Sequence, residues 1–512
     1  MSGGERILNT KRNLIWGGIS QVITIVLPFF TRMVLLNTLG IGYDGLGSLF
    51  KSVLGVLNFA ELGVGSAIVY NMYRPIAAND REKVCALLKL YRKLYLWIGF
   101  VVLILGLLIL PFLKILIKGD VPGEIDIRFL FLFYVVELLV GYSTFAYRGS
   151  VFTAHQRVDI TSKIKLIVEL FKNIIQILAL VITGNYYIYT AVLSLAAALN
   201  CVLTYAESRK KYPEYVCRGE LGKDELGEIK KNVKGLIFQK IGNVVLQSAD
   251  TIVISGFLGL AVLGVYNGYW MVILGLTGFI NIIHQALVPS VGNSIVMESK
   301  EKNYTDFLRF QFIYTWFLGW CSVCLVCLIQ PFIELWQGKE NMLSNNMALM
   351  FGIFLFIHHA GDVSGSYKTA AGIWWQGRIV PLLSAIMNLI INIILVQIIG
   401  LYGILLSTIL CIGFINIPLG GWILFQCYFR DMKKWRRYLY DVAIYFICTM
   451  IAVFLTGRVC QAIHIQSLMG QLVARAAICL VVPNIIFAIL YSRNPNFKPA
   501  IAFVRRILKR GE

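Results

Sequence analysis

The stretch from Lys240 to Ser255 reads KIGNVVLQSADTIVIS, inside an apolar run from Leu236 to Leu260. Lys240, Asn243, Gln247 and Asp250 recur there with helical spacing, so a helix would carry them as one polar stripe on a single face. A charge at the centre of a membrane helix costs roughly 2.5–3.5 kcal/mol on insertion scales, so the stripe must face buried partners or water. It reads as one wall of a polar path for a solute that hydrocarbon cannot dissolve.

Other apolar runs carry comparable faces. Gln21, Ile25, Pro28 and Arg32 share one in the first; Lys51, Asn58 and Glu61 in the second; Asn267, Trp270, Thr277, Asn281 and His284 in the eighth. Glu137, Asp362 and Arg475 are further charges within apolar runs. At about 1.5 Å per residue, Lys240, His284 and Asp362 fall in the cytoplasmic third, Glu61 and Glu137 near the middle, and Arg32, Lys51, Asp250 and Arg475 in the outer third. Cations at both depths suit a phosphate-bearing solute released by one set and received by another. Glu61, Glu137, Asp250 and Asp362 are candidates for counter-charge or for coupling to H+ or Na+; no cofactor and no metal is implied.

Plainer readings account for other residues. Glu169 and Lys172, one turn apart, are expected to pair with each other. The neighbours His358 and His359 point to different sides of their helix and read as core histidines satisfied by local partners. Cys321, Cys324 and Cys327 have no His or acidic residue beside them and read as helix packing.

The elements that position these groups follow from composition. The 512 residues are 58% hydrophobic and only 14% charged, which excludes an ordinary soluble protein and indicates an all-α polytopic membrane protein. A net charge of +20 would suggest nucleic acid in a soluble chain, but here the basic residues sit in short loops, where they set topology. About 14 spans can be marked: 13–39, 45–70, 94–117, 127–148, 164–183, 187–206, 234–257, 262–287, 308–335, 346–366, 378–399, 401–427, 439–459 and 469–491. With a cytoplasmic amino terminus, about 37 of the 47 Lys and Arg fall in cytoplasmic loops or tails, and both termini are then cytoplasmic. Arg6, Lys11 and Arg12 lead into the first span with no cleavage pattern.

External loops are short, so a membrane-embedded glycan polymerase or ligase, which needs an external catalytic platform, is disfavoured. The longer cytoplasmic connections, Asn79–Lys93 and Glu207–Lys234, read as surface helices, and Phe497–Arg510 as a basic amphipathic helix at the inner leaflet. A weak repeat relates Leu14-Ile15 to Leu236-Ile237 and Gly184-Asn-Tyr-Tyr to Gly400-Leu-Tyr-Gly. It divides the chain into two pseudo-symmetric six-helix lobes, residues 1–220 and 221–437, with two added helices and a basic tail in 438–512.

Three runs carry a family resemblance: Glu61 to Gly99 (ELGVGSAIVYNMYRPIAANDREKVCALLKLYRKLYLWIG), Ser248 to Trp270 (SADTIVISGFLGLAVLGVYNGYW) and Ile329 to Glu340 (IQPFIELWQGKE). They resemble the polysaccharide transporter family of oligosaccharide-lipid flippases, within the multidrug, oligosaccharidyl-lipid and polysaccharide exporter superfamily. The resemblance implies a transporter, not an enzyme, that moves polyprenyl-pyrophosphate-linked oligosaccharide to the outer leaflet of a bacterial cytoplasmic membrane by alternating access. It implies a cavity lined by helices one, two, seven and eight, with Arg32, Lys51, Lys240 and Arg475 available to hold the pyrophosphate and Gln21, Asn58, Asn243, Gln247, Asn267, Asn281 and His284 as polar lining. Membrane lipids and other polysaccharide assembly proteins are the implied partners, and nucleic acid is not. A cation-coupled multidrug exporter of the same superfamily is the alternative.

Overall fold

The computed structural model describes residues 3–58, 64–123, 125–142, 146–223, 225–227, 229, 244, 248–373, 375–463 and 465–502. No strand occurs among them. The contacts separate the chain into two compact units, Met1–Gly264 and Val265–Glu512.

The first unit begins with α1 (Gly3–Thr38), α2 (Ile41–Leu57) and α3 (Val64–Ala77). It continues with α4 (Arg81–Ile109), which tightens into a 3-10 segment (Leu110–Leu116), and with α5 (Ile127–Gly141) and the short α6 (Gly149–Ala154). An antiparallel pair follows, α7 (Val158–Thr183) and α8 (Tyr186–Lys211), then α9 (Ser248–Leu258). The α7–α8 turn is two residues long. Gly184 adopts a left-handed φ of 57°, and the Asn185 side chain accepts from the Tyr187 and Ile188 amides at 2.8 and 3.3 Å, capping the next helix.

The start of α10 (Leu260–Met297) still belongs to the first unit; the rest of α10 opens the second. There follow α11 (Lys300–Gln337), α12 (Asn345–His359), α13 (Asp362–Ala370) and the hairpin of α14 (Ile379–Ile399) with α15 (Leu401–Cys411). A π segment (Ile412–Asn416), α16 (Ile417–Leu424), a second π segment (Phe425–Phe429), α17 (Met432–Gln461) and α18 (Leu468–Leu490) complete it. The α14–α15 hairpin turns at Gly400, with φ 59° and ψ −134°. Inside it Asn388 donates to Ser407 (3.2 Å) and Thr408 (2.9 Å), and Asn392 donates to Asn388 (3.2 Å). These amides are fully buried, and their mutual bonds satisfy them where lipid offers no alternative.

Eleven of the described helices are long and apolar enough to cross a membrane. Of the remaining predicted spans, 127–148 is represented by the 15-residue α5, while 45–70 and 234–257 include residues outside the described set. The distribution of side chains is that of a membrane protein. On α7 Asn173 and Gln176 are buried while Ile167, Ile174, Leu178, Val181 and Ile182 are exposed. Comparable exposed apolar rows run along α14 (Ile386, Ile390, Ile394, Ile398) and α18 (Val473, Leu480, Ile485, Ile489), an arrangement that water would penalise and lipid favours.

The run Asn79–Lys93, expected as a surface helix, is instead mostly the opening of α4. Asp80 caps it by accepting from the Lys83 amide at 3.0 Å, and Val84, Cys85, Leu87, Leu88 and Tyr91 form an apolar stripe packed with Tyr215. The segment after α8 folds back onto this stripe, with Lys89 bonded to Glu220 (3.3 Å) and Lys83 to Glu225. The expected amphipathic tail lies mostly outside the described residues.

Candidate functional site

Of the sequence-predicted site residues, Glu61, Lys240, Asn243 and Gln247 lie outside the described residues. Asp250 is buried on α9 in the first unit. Of the expected stripe Lys51, Asn58 and Glu61, Lys51 lies on α2 and Glu61 lies outside the described residues. The α2 helix ends at Leu57 and Asn58 is its C-cap, its amide donating back to Leu54. The side-chain oxygen of Asn58 is buried without a hydrogen-bond partner among the described residues.

Arg32 occupies a closed site. Its side chain is 4% exposed; Nε lies 3.1 Å from Asp44 Oδ2, and Nη2 donates to the Gly264 carbonyl at 2.7 Å. The backbone approach there is very close. A Cβ on Gly45 would lie 2.0 Å from the Leu260 carbonyl oxygen, and one on Gly264 would lie 2.4 Å from that of Ile41. Glycine at both positions lets the starts of α2 and α10 touch, and Arg32 and Asp44 fasten the joint.

Lys51 is exposed, and it and Lys172 are the cations that act on the half-buried Glu137. Glu137 lines a cavity of about 460 Å³ with Lys165, Glu169, Lys172 and Asn200, walled by α5, α7 and α8. Lys172 Nζ is 2.6 Å from Glu169 Oε2, the pair that the spacing requires, and the Asn173 side chain donates to the same carboxylate (3.3 Å) and accepts from Thr31 (2.7 Å). The cavity thus offers two lysines, two carboxylates and an amide to a polar guest. Gln21 is half-buried on α1.

In the second unit Asp362 and His284 meet. His284 Nε2–H donates to the Asp362 carbonyl at 3.0 Å and lies 2.7 Å from the Ser366 hydroxyl. The Asp362 carboxylate accepts from the Tyr314 hydroxyl (2.5 Å) and from His359 Nδ1–H (2.7 Å), while His359 Nε2 accepts from Thr277 (3.3 Å). His359 is buried and locally satisfied, and His358 points to an exposed face. Asn267 and Asn281 are half-buried on α10. Arg475 stands apart from this network. It lines a cavity of about 580 Å³ with Glu334, Arg458 and Gln461, and its Nη1 donates to the Cys327 carbonyl at 3.5 Å. Tyr314 and Cys327 are separated by about 20 Å along α11.

Sequence reasoning passed over Asp44, Tyr314 and Ser366. Each is a partner that only packing reveals, and no spacing rule joins Arg32 to Asp44 across the Gly40 turn.

Helices with apolar outer faces and buried, bonded polar groups define a multi-pass membrane protein. The lipid II flippase MurJ in an inward closed conformation has a similar fold, with a TM-score of 0.61 at 16% identity over 95% of this chain and 99% of that one. An inward-facing multidrug resistance MATE transporter of the MOP superfamily gives 0.56 at 16% identity, covering 85% and 98%. A mutant of the Vibrio cholerae MATE transporter VcmN gives 0.53 at 13% identity, covering 86% and 99%. No curated protein sequence matches the chain. The family model described as polysaccharide biosynthesis protein matches residues 10–294, and the chain belongs to that family. Its fold is shared with a lipid flippase and with multidrug transporters.

Proposed function

We propose that the protein translocates a polyprenyl-pyrophosphate-linked oligosaccharide from the inner to the outer leaflet of a bacterial cytoplasmic membrane by alternating access. Membership of the polysaccharide biosynthesis family carries the reading. The barrier to be removed is desolvation of the sugar and pyrophosphate, which hydrocarbon cannot solvate, while the polyprenyl chain stays in lipid. Lys51 is exposed, and Lys172, though paired with Glu169, lines a polar cavity; together with Lys240 they are the cations we assign to phosphate. Arg32 is already engaged by Asp44, and we assign it to the polar path as a joint that exchanges partners. Asp250, Glu61 and Glu137 remain candidates for counter-charge.

Deletion of the gene should abolish surface polysaccharide and trap lipid-linked oligosaccharide on the cytoplasmic leaflet. Lys51→Ala with Lys172→Ala should reproduce part of that loss while the protein stays in the membrane. Unchanged surface glycan in the deletion strain would refute the reading. A cation-coupled multidrug exporter is the second reading, favoured by Asp362, a carboxylate within the apolar helices that accepts from Tyr314 and His359 and is a candidate for proton coupling. Drug efflux lost on Asp362→Asn with glycan unaffected would favour it.

A further inference from the structure

Three thiols from three helices converge in the second unit. Cys327 on α11, Cys460 on α17 and Cys479 on α18 are each at most 5% exposed, and their sulfurs all lie within 4.8 Å of one another. Cys324, one turn earlier on α11, flanks the group with its sulfur 4.0 Å from the Cys479 carbonyl. Buried cysteines commonly serve as small apolar packing residues, so convergence alone would mean little. Two further features set this group apart.

The first is access. Cys327 and Cys460 line the cavity of about 580 Å³ that also holds Glu334, Arg458, Gln461 and Arg475. The cavity thus sets carboxylate and amide side chains in the same lining as the two cysteines. In the topology implied by the basic loops, this cavity belongs to the outer half of the membrane. The second feature is charge. Arg475 lies one turn before Cys479 on α18, and its guanidinium donates to the Cys327 carbonyl at 3.5 Å, which fixes a positive charge beside the thiols.

We propose that Cys327, Cys460 and Cys479 form a trithiolate site for a zinc ion, which ties α17 and α18 to α11. Zinc–sulfur bonds of about 2.3 Å place ligand sulfurs about 3.8–4.0 Å apart, so the observed spacing closes by less than about 1 Å through side-chain rotation. On binding, each thiol loses its proton to cavity water, and three thiolates with Zn2+ carry one net negative charge. Arg475 cancels that charge. The same thiolates around Cu+ would leave the buried site with an uncompensated negative charge, which low-dielectric surroundings disfavour. The fourth zinc position opens to the cavity and is filled by water.

The full chain, purified in detergent under reducing conditions, should retain one zinc per chain after exposure to Zn2+ and desalting. Three cysteines should then resist alkylation until a chelator is added. Co2+ in place of zinc should give thiolate-to-metal charge-transfer absorption. Cys460→Ser should abolish retention, Arg475→Gln should weaken it about tenfold as the loss of a supporting group does, and Cys427→Ser, at an exposed cysteine, should leave it intact. Should Cys460→Ser fail to fold, the cobalt spectrum and alkylation pattern of the wild-type protein decide the question alone. Reduced wild-type protein that takes up neither metal, zinc retained unchanged in Cys460→Ser, or a disulfide among the three cysteines in freshly isolated protein would each overturn the proposal.

Discussion

Asp44→Ala should destabilise the first unit more than any loss of its own small contacts would suggest. The substitution leaves Arg32, 4% exposed, with the Gly264 carbonyl but without its carboxylate at 3.1 Å. Removing one member of a buried pair costs about 3–5 kcal/mol, because the remaining charge stays desolvated. At about 2 °C per kcal/mol for a unit of this size, the apparent melting temperature should fall by about 6–10 °C. Replacing both residues by leucine should cost far less, because an apolar pair of similar volume removes the stranded charge together with its partner. Size-exclusion chromatography with fluorescence detection, run on detergent extracts heated in steps, measures the cycle of wild type, Asp44→Leu, Arg32→Leu and the double leucine variant. A double variant as unstable as the sum of its singles would refute the reasoning, since additivity means the two residues do not act on each other.

Gly45→Ala should lower both stability and transport, because its Cβ meets the Leu260 carbonyl oxygen at 2.0 Å and overpacking of this kind costs about 1–3 kcal/mol. Gly55→Ala, whose nearest neighbour is the Ser248 hydroxyl at 3.4 Å, should be near neutral in the same thermal assay. Asn388→Leu should cost about 1 kcal/mol, the scale of interhelical hydrogen bonds in membranes, read as a lower melting temperature. At the start of the connection to α7, burial pushes His155 below its usual range; Nδ1–H donates to the Val151 carbonyl (2.9 Å) and Nε2 accepts from Tyr215 (3.3 Å). A base with a lowered folded pKa binds fewer protons folded than unfolded. Its contribution is therefore complete above about pH 6.5 and is lost as pH falls toward the folded value. Melting temperature measured from pH 7.5 to 5 should fall, and His155→Gln should flatten that slope.

The fold was legible because lipid imposes its own grammar. Apolar runs of bilayer length separated by basic loops mark the spans, and turns such as Gly184-Asn185 and Gly400 mark the hairpins. What the sequence misjudged was continuity. Asn79–Lys93 carries enough charge to resemble a surface helix, yet its apolar stripe packs with Tyr215 and keeps α4 straight through it. Lys51 and Asn58 have the spacing of a stripe, yet α2 ends at Leu57, before it reaches Asn58. Periodicity reports which residues would share a face if the helix continued; it does not report whether it continues.

For the site, charge type was legible and charge state of engagement was not. A cation in a membrane helix looks the same in sequence whether it waits for a phosphate or is already matched. Arg32 is matched by Asp44 twelve residues later, and Lys172 by Glu169 one turn earlier; only the second pairing follows a spacing rule. The same holds for sulfur. Cys327 lies in a visible cluster with Cys321 and Cys324, but the partners that give it chemistry are Cys460 and Cys479, which lie on helices whose packing no local pattern encodes. Each partner found in the structure therefore changes what the residue can do: the fully buried Arg32 becomes a joint, Lys172 keeps one face to its cavity, and the exposed Lys51 is open to cargo. Reversing that assignment is a direct experiment, because Arg32→Lys keeps the charge yet loses the second donor that reaches Gly264, and so should weaken the joint more than Lys51→Arg weakens transport.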